Sequence, residues 1–321
     1  MLALLLVCLA LYAQQETETR EHPYLGVTLI RRTVTVPRLV NMRVLQIDLN
    51  TRGIGFKLTP PAGSREVINQ TTLNYMNQER AQFAVNVHFY LPVGTPETDL
   101  IGLAASNGNV YSEFEAPVQS YAIVDYAPGI NIGPDNKASI VHADFDHPDR
   151  KRTLENVKLW NAFSGSAQIV TNGLKTIPVY RDEDHPHGLL TPDKTYSNRH
   201  SWYDVLNPRT AIGLSRDNRI LTVFVADGRG AGGSLGLTGS EMADILISDY
   251  GVYSALNLDG GGSTTLTMKD PATGESNILN VSSDGGQGRA VGSNLAIFAA
   301  PSPSRRGSLA LKARDFSRGG H

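Results

Sequence analysis

Alternation of apolar and polar positions recurs along this chain. Residues 44–49 and 54–58 alternate with period two on either side of Asn50-Thr51-Arg52-Gly53, which predicts an early hairpin. Strand patterns recur at 83–90, 121–125, 167–170, 210–214, 220–226, 254–258 and 295–299, and 263–268 alternates hydroxyl with apolar side chains. Residues 67–76 fit a helix. The clearest helix runs from about Gly239 to Tyr250: Thr238 and Glu241 match a Ser/Thr-x-x-Glu capping box, and Gly251 suits the position just past the end. Met242, Ile245 and Leu246 share one face of it, which should pack on a sheet. Residues 143–201, rich in Asp, Arg, Pro and His, are expected to form long surface loops around the strand near Ala167. Many short strands separated by Gly, Pro, Asn and Asp predict an α+β fold, a β-rich mixed-sheet domain with a few packed helices.

The first residues change the picture of where the protein works. Residues 1–11 are apolar over a length suited to a secretory leader and too short to span a bilayer, so 1–13 is expected to be a signal peptide cleaved after Ala13, and the protein secreted or periplasmic. Cys8, the single cysteine, would leave with the leader, which excludes an intrachain disulfide, thiol chemistry and sulfur-held zinc in the mature chain. Residues 14–300 are expected to form the functional domain and 301–321 a flexible, solvated tail. With 29 Lys and Arg against 31 Asp and Glu, a formal charge of −2 and no basic stripe, nucleic acid is not an expected partner, nor is stable membrane insertion. Asn69-Gln70-Thr71 and Asn280-Val281-Ser282 read as glycosylation sequons.

The most informative stretch for chemistry is Asn257-Leu258-Asp259-Gly260-Gly261-Gly262-Ser263-Thr264-Thr265. It puts a carboxylate where a strand gives way to three glycines, and so much backbone freedom is surrendered only where side chains would obstruct a turn or a ligand. A glycine-rich hairpin with an Asx turn would look the same. Asp227 ends the 220–226 strand in a parallel position, although an Asp-Gly turn also explains it. Gly228-Arg229-Gly230-Ala231-Gly232-Gly233 formally matches a dinucleotide fingerprint, but the helix cap at Thr238 lies too far on for these glycines to place a pyrophosphate on a helix N-terminus. No Lys follows the Gly260 triplet, which excludes a phosphate loop of Walker type. His142, His147, His185, His187 and His200 lack metal-ligand spacing, so no metal and no cofactor is expected. Glu241 is assigned to the helix cap.

Several separated motifs agree with one another: Asn86 to Tyr90, Ser164-Gly165-Ser166, Arg209-Thr210-Ala211-Ile212-Gly213-Leu214, Val225-Ala226-Asp227-Gly228-Arg229, Gly236-Leu237-Thr238, the Asn257 to Thr264 run, and Arg289 to Asn294. In this order they resemble the phosphodiester glycosidase family, with core motifs over 82–298. Family members carry Asn-Gly-Gly-Phe-Phe where this chain has Asn86-Val87-His88-Phe89-Tyr90, and Ser-Gly-Gly where it has Ser164-Gly165-Ser166. The resemblance implies an exported hydrolase of a glycosyl phosphodiester or a related cell-surface glycoconjugate. A phosphate leaving group is already a weak base, so one carboxylate and cationic donors suffice. On that basis Asp259 is expected at the anomeric carbon, as nucleophile or as general base for water. Arg209 and Arg289 are expected on the phosphate. Asp227 is a second candidate carboxylate and His88 a candidate acid. Asn86, Ser164, Gly260, Gly261, Ser263 and Thr264 are expected to bind substrate. Two rivals stand beside this reading: a glycosidase of ordinary polysaccharide linkages that uses Asp227 with Asp259, and an inactive carbohydrate-binding or envelope protein.

Overall fold

The computed structural model describes residues 16–115, 123–178, 202–286 and 288–302. The expected leader, Cys8, His185, His187, His200 and most of the expected tail lie outside these residues. An eight-stranded sheet runs in the order Glu16–Tyr24, Val27–Val34, Val40–Asp48, Ile220–Ala226, Arg209–Leu214, Ser254–Leu258, Ala167–Thr171, Leu174–Lys175. A five-stranded sheet places Phe83–Asn86 between Leu266–Lys269 and Asn294–Phe298, and a second one centres on Asn161–Ser164. Every strand pairing among the described residues is antiparallel, which rules out the parallel βαβ unit that a dinucleotide fingerprint requires.

The centre of the large sheet is buried on both faces, which is why its central strands read as continuous apolar runs. Along Ile220–Ala226, Leu221, Val223 and Val225 join a core shared with Phe83, Val85, Leu266, Leu295 and Ile297 of the smaller sheet. Phe224 and Ala226 point the other way, to Met242, Ala243 and Leu246 of the Gly239–Ser248 helix. That helix carries the expected capping box: Thr238 N–H donates to Glu241 Oε2 at 2.9 Å and Glu241 N–H to Thr238 Oγ1 at 3.1 Å, an arrangement worth about 1 kcal/mol. Burying Met242 and Leu246 adds about 2 kcal/mol each. The other helix among the described residues is Thr72–Glu79, so the fold is β-rich with a sparing use of helix.

Several expectations need correction. The 44–58 hairpin does not form, because Val40–Asp48 pairs with Ile220–Ala226 while Gly55–Leu58 pairs with Asn294–Phe298 in the other sheet. The Asn50–Gly53 segment is thus a corner between sheets. The helix expected over 67–76 begins at Thr72, capped by the Thr71 side chain, after two short strands at Val67–Ile68 and Gln70–Thr71. The strand at 83–90 breaks after Asn86, where Val87 N–H turns to Ser293 O at 3.1 Å, and pairing resumes at Tyr90–Leu91. The strand expected at 263–268 runs over Leu266–Lys269, preceded by a short helical turn at Gly261–Ser263. Residues 123–125 are not in a strand, and 121–122 lie outside the described residues. Within 143–178 the chain adds the Asn161–Ser164 and Leu174–Lys175 strands to the expected one.

Candidate active site

Register decides where the two singled-out carboxylates emerge. Thr210 pairs with Leu258 and Arg209 with Ala226, so Asp227 and Asp259 leave the large sheet at the same end, on either side of the Arg209–Leu214 strand. Two strand spacings, about 10 Å, separate their backbones. Asp259 is tied in place through its main chain: its N–H donates to Val87 O at 2.9 Å, and its carbonyl accepts from Asn86 Nδ2 at 2.6 Å. Its side chain is free for chemistry. Asp259 is 8% exposed, and burial pushes its carboxyl up to about 7 against the opposing pull of Ser263, Arg289, the Gly260 amide and Arg229.

Each glycine of the triplet has its own reason. A Cβ at Gly260 would stand 2.7 Å from Pro208 O, a backbone atom that cannot give way. Gly261 has φ +59° and lies under the Arg229 guanidinium, whose Nη2 would be 2.9 Å from a Cβ. At Gly262 the added atom would meet Asp284 Oδ1 at 2.2 Å and Arg289 Nη2 at 2.5 Å. Stripped of side chains, the run forms a bare floor on which two arginines rest beside Asp259.

The cleft above this floor encloses about 170 Å³. Arg229 and Arg289 line it, the first held by Asn207 (Nε to Oδ1, 3.0 Å) and the second by Asp284 (Nε to Oδ2, 2.6 Å). Arg229 has φ +56°, an uncommon conformation for a non-glycine residue of the kind found where function holds strain. Phe89 and Trp202 form an aromatic wall, with ring centroids 5.4 Å apart and planes tilted by 30°. Larger grooves of about 420 and 500 Å³ open elsewhere, around His22 and Gln46 and around Asn131 and Lys158, but neither contains a buried carboxylate. The smaller cleft has the chemistry.

The structure brings Asp259, Arg209, Arg289, Gly260 and Gly261 to this cleft and leaves the other singled-out residues off its lining. Arg209 is 4% exposed and its guanidinium is already committed, Nε to Leu237 O at 2.8 Å and Nη2 to Val205 O at 2.6 Å; burial pulls it down to about 10. Asn86 is a buried brace: Nδ2 holds Asp259 O, and Oδ1 accepts from Thr265 N–H and Thr210 Oγ1, both at 3.1 Å. His88 is wholly buried between Ser293 Oγ (2.6 Å) and Leu103 O (3.0 Å), and burial pulls it down to about 4, so it is neutral, and it does not line the cleft. Ser164 Oγ bridges Leu103 N–H and Ala127 O. Thr264 is buried against Thr210, and Ser263 Oγ lies close enough to favour an ionised Asp259 without making a well-formed hydrogen bond. Asp227 accepts from Val281 N–H at 2.9 Å and is not part of the lining.

No group of three or more His, Cys, Asp or Glu suited to a metal occurs among the described residues. His142 is held by Glu155 (2.7 Å) and Gln168 (3.1 Å), and His147 caps Asp149 N–H at 3.1 Å. The Asn280 sequon is buried, with its amide donating to Thr264 O at 3.0 Å, which blocks glycan attachment there in the folded chain. Sequence reasoning missed Phe89, Trp202, Asn207 and Arg229 as site residues. Arg229 was legible in the Asp227-Gly228-Arg229 turn; Trp202 and Asn207 carry no pattern that marks them.

With this geometry in view, the family profile for phosphodiester glycosidases matches residues 79–298, which include every residue of the cleft. The chain belongs to the phosphodiester glycosidase family. No curated protein matches it in sequence. Among solved structures it is similar to the catalytic domain of zebrafish N-acetylglucosamine-1-phosphodiester alpha-N-acetylglucosaminidase auto-inhibited by its pro-peptide, at TM-score 0.58 and 18% identity over 88% of each chain. A presumed exported protein of Burkholderia pseudomallei K96243 is similar at TM-score 0.58 and 12% identity, over 88% of this chain and 96% of that one. A hypothetical protein from Synechocystis follows at TM-score 0.54 and 14% identity, over 85% of this chain, which spans 62% of the Synechocystis chain. At these identities the likeness is one of fold.

Proposed function

We propose that this family member is a hydrolase of glycosyl phosphodiesters, with Asp259, Arg229 and Arg289 as its working groups. The observation that carries the reading is the convergence of one buried carboxyl titrating near 7 with two arginines over a side-chain-free floor. The arginines offer planar N–H forks to the diester and stabilise the charge that collects on the departing phosphate. Because that group leaves as a weak base, no strong general acid is required. The ionised Asp259 then acts at the anomeric carbon, either directly or by activating water. The Phe89–Trp202 wall suits the apolar face of a sugar ring. Arg229 takes the place first expected for Arg209, whose Nε and Nη2 are spent on the Leu237 and Val205 carbonyls.

A glycosidase of ordinary linkages needs two carboxyl groups flanking the bond. Among the described residues lining the cleft, Asp259 is the only acid, which favours the phosphodiester. Export rests on the apolar 1–11 run, and the described residues hold no helix long and apolar enough to cross a membrane. Product release from a chromogenic glycosyl phosphodiester, set against the matching aryl glycoside, tests the reading. Turnover of the diester alone is expected; turnover of the aryl glycoside alone favours the ordinary glycosidase, and turnover of neither favours a carbohydrate-binding protein.

A further inference from the structure

Asp227 is 1% exposed, and all but one of its polar groups are committed. Its N–H donates to Asn41 O at 2.9 Å, its carbonyl accepts from Ser234 Oγ at 2.8 Å, and Oδ1 accepts from Val281 N–H at 2.9 Å. Oδ2 is buried without a well-formed hydrogen bond; the nearby Asn280 gives its Nδ2 to Thr264 O instead. Arg43 is the charged group that favours the ionised carboxylate. The side chain is thus aimed at Val281, the first residue of the 281–289 loop, and Arg289 is that loop's last residue.

Among its described residues the loop has few side-chain supports, and just beyond it Ala290–Val291 pairs with Gln70–Thr71. Ser282 Oγ reaches Gly262 O at 3.4 Å and receives Asp284 N–H at 3.1 Å, and Asp284 in turn holds Arg289 Nε. Beyond Arg289, Tyr90 donates its hydroxyl to Ala290 O at 3.1 Å. At the near end Asn280 is fixed by Leu266 N–H at 2.8 Å and by Thr264 O, so loss of the Asp227 contact leaves the chain anchored at 280 and free to pivot just after it. We propose that Asp227 is a positioning residue for Arg289, fixing the start of the loop whose end presents that guanidinium to the substrate's phosphate. The proposal rests on the phosphate reading of the cleft.

Only one acceptor oxygen is used, so an amide can replace the carboxylate in this role, whereas a carboxylate that enters the chemistry cannot be so replaced. The test is binding of inorganic phosphate by calorimetry, together with kcat/KM on a chromogenic glycosyl phosphodiester. Asp227→Ala is expected to weaken phosphate binding and lower kcat/KM about tenfold or more, the scale of a misplacement under 1 Å. Asp227→Asn should recover most of both. In an Arg289→Ala background Asp227→Ala should change phosphate binding less than about twofold, because the residue it positions is gone. Equal losses in both backgrounds overturn the proposal, as does a folded Asp227→Asn protein as inactive as Asp259→Asn. Should Asp227→Ala fail to fold, the Asp227→Asn comparison still decides. Failure of the wild-type protein to bind phosphate overturns the phosphate reading itself, whereas wild-type binding that Asp227→Ala leaves unchanged overturns this proposal alone.

Discussion

Substituting Gly262 by Ala adds a single atom to the floor of the cleft, and its consequences follow from the coordinates. The new Cβ would lie 2.2 Å from Asp284 Oδ1 and 2.5 Å from Arg289 Nη2. Nonbonded atoms rest near 3.5 Å, so the ion pair must retreat by about 1 Å. Both side chains are about one-third exposed and can move into solvent, so the pair's stabilising contribution, at most about 1 kcal/mol, is all that stability stands to lose. For a chain of this size that corresponds to a melting shift of about 1–2 °C. Catalysis has more to lose, because a 1 Å displacement of a group that holds the reacting phosphate costs on the order of 100-fold, about 2.7 kcal/mol. The assay is kcat/KM on a glycosyl phosphodiester beside a thermal melt. Gly286→Ala serves as the control: a Cβ there meets nothing within 4 Å, so that variant should behave as wild type. Wild-type kcat/KM in Gly262→Ala, or a collapse of the melt, would refute the argument that Gly262 is glycine to make room for Arg289 and Asp284.

Since burial holds Asp259 near 7 and the ionised form is the working one, kcat/KM should rise with pH through about 7, and an acid limb near 4 would contradict that assignment. His88 is pulled down from 6.5 to about 4, so the unfolded chain takes up the proton first and stability should fall as pH drops from 6.5 towards 4; His88→Gln should flatten that part of the melting profile. Trp202→Ala removes half of the aromatic wall and should raise KM for a glycosyl substrate about tenfold, about 1.4 kcal/mol, while inorganic phosphate affinity holds.

Elements whose signals are local were legible in the sequence. The Thr238–Glu241 box marks the start of its helix because both partners lie within one turn, and the strands at 210–214, 220–226, 254–258 and 295–299 fall within a residue or two of their observed bounds. Sheet membership was not legible: Val40–Asp48 pairs locally with Val27–Val34, but its other neighbour Ile220–Ala226, and the Asn294–Phe298 partner of Gly55–Leu58, lie more than 150 residues away. The same limit applies to the site. Asp259 and Arg289 stand out through motifs, whereas the orientation of Arg209 depends on the carbonyls of Val205 and Leu237, which have no side-chain signature. His88 was a candidate acid through its place in the Asn86 to Tyr90 motif, yet Leu103 and Ser293 close over it from two other segments.

Asp259→Asn separates the Asp259 carboxyl's part in the reaction from its part in the fold. The amide keeps the side chain's shape and leaves the main-chain ties to Val87 and Asn86 untouched. In the folded state the carboxyl is raised from 3.8 to about 7, so burying its charge lowers stability progressively as pH rises through that window, and the amide escapes this cost. Phosphodiester turnover at pH 8 should therefore fall by orders of magnitude while the melting temperature holds or rises. Near-wild-type turnover in a folded Asp259→Asn protein would contradict the account.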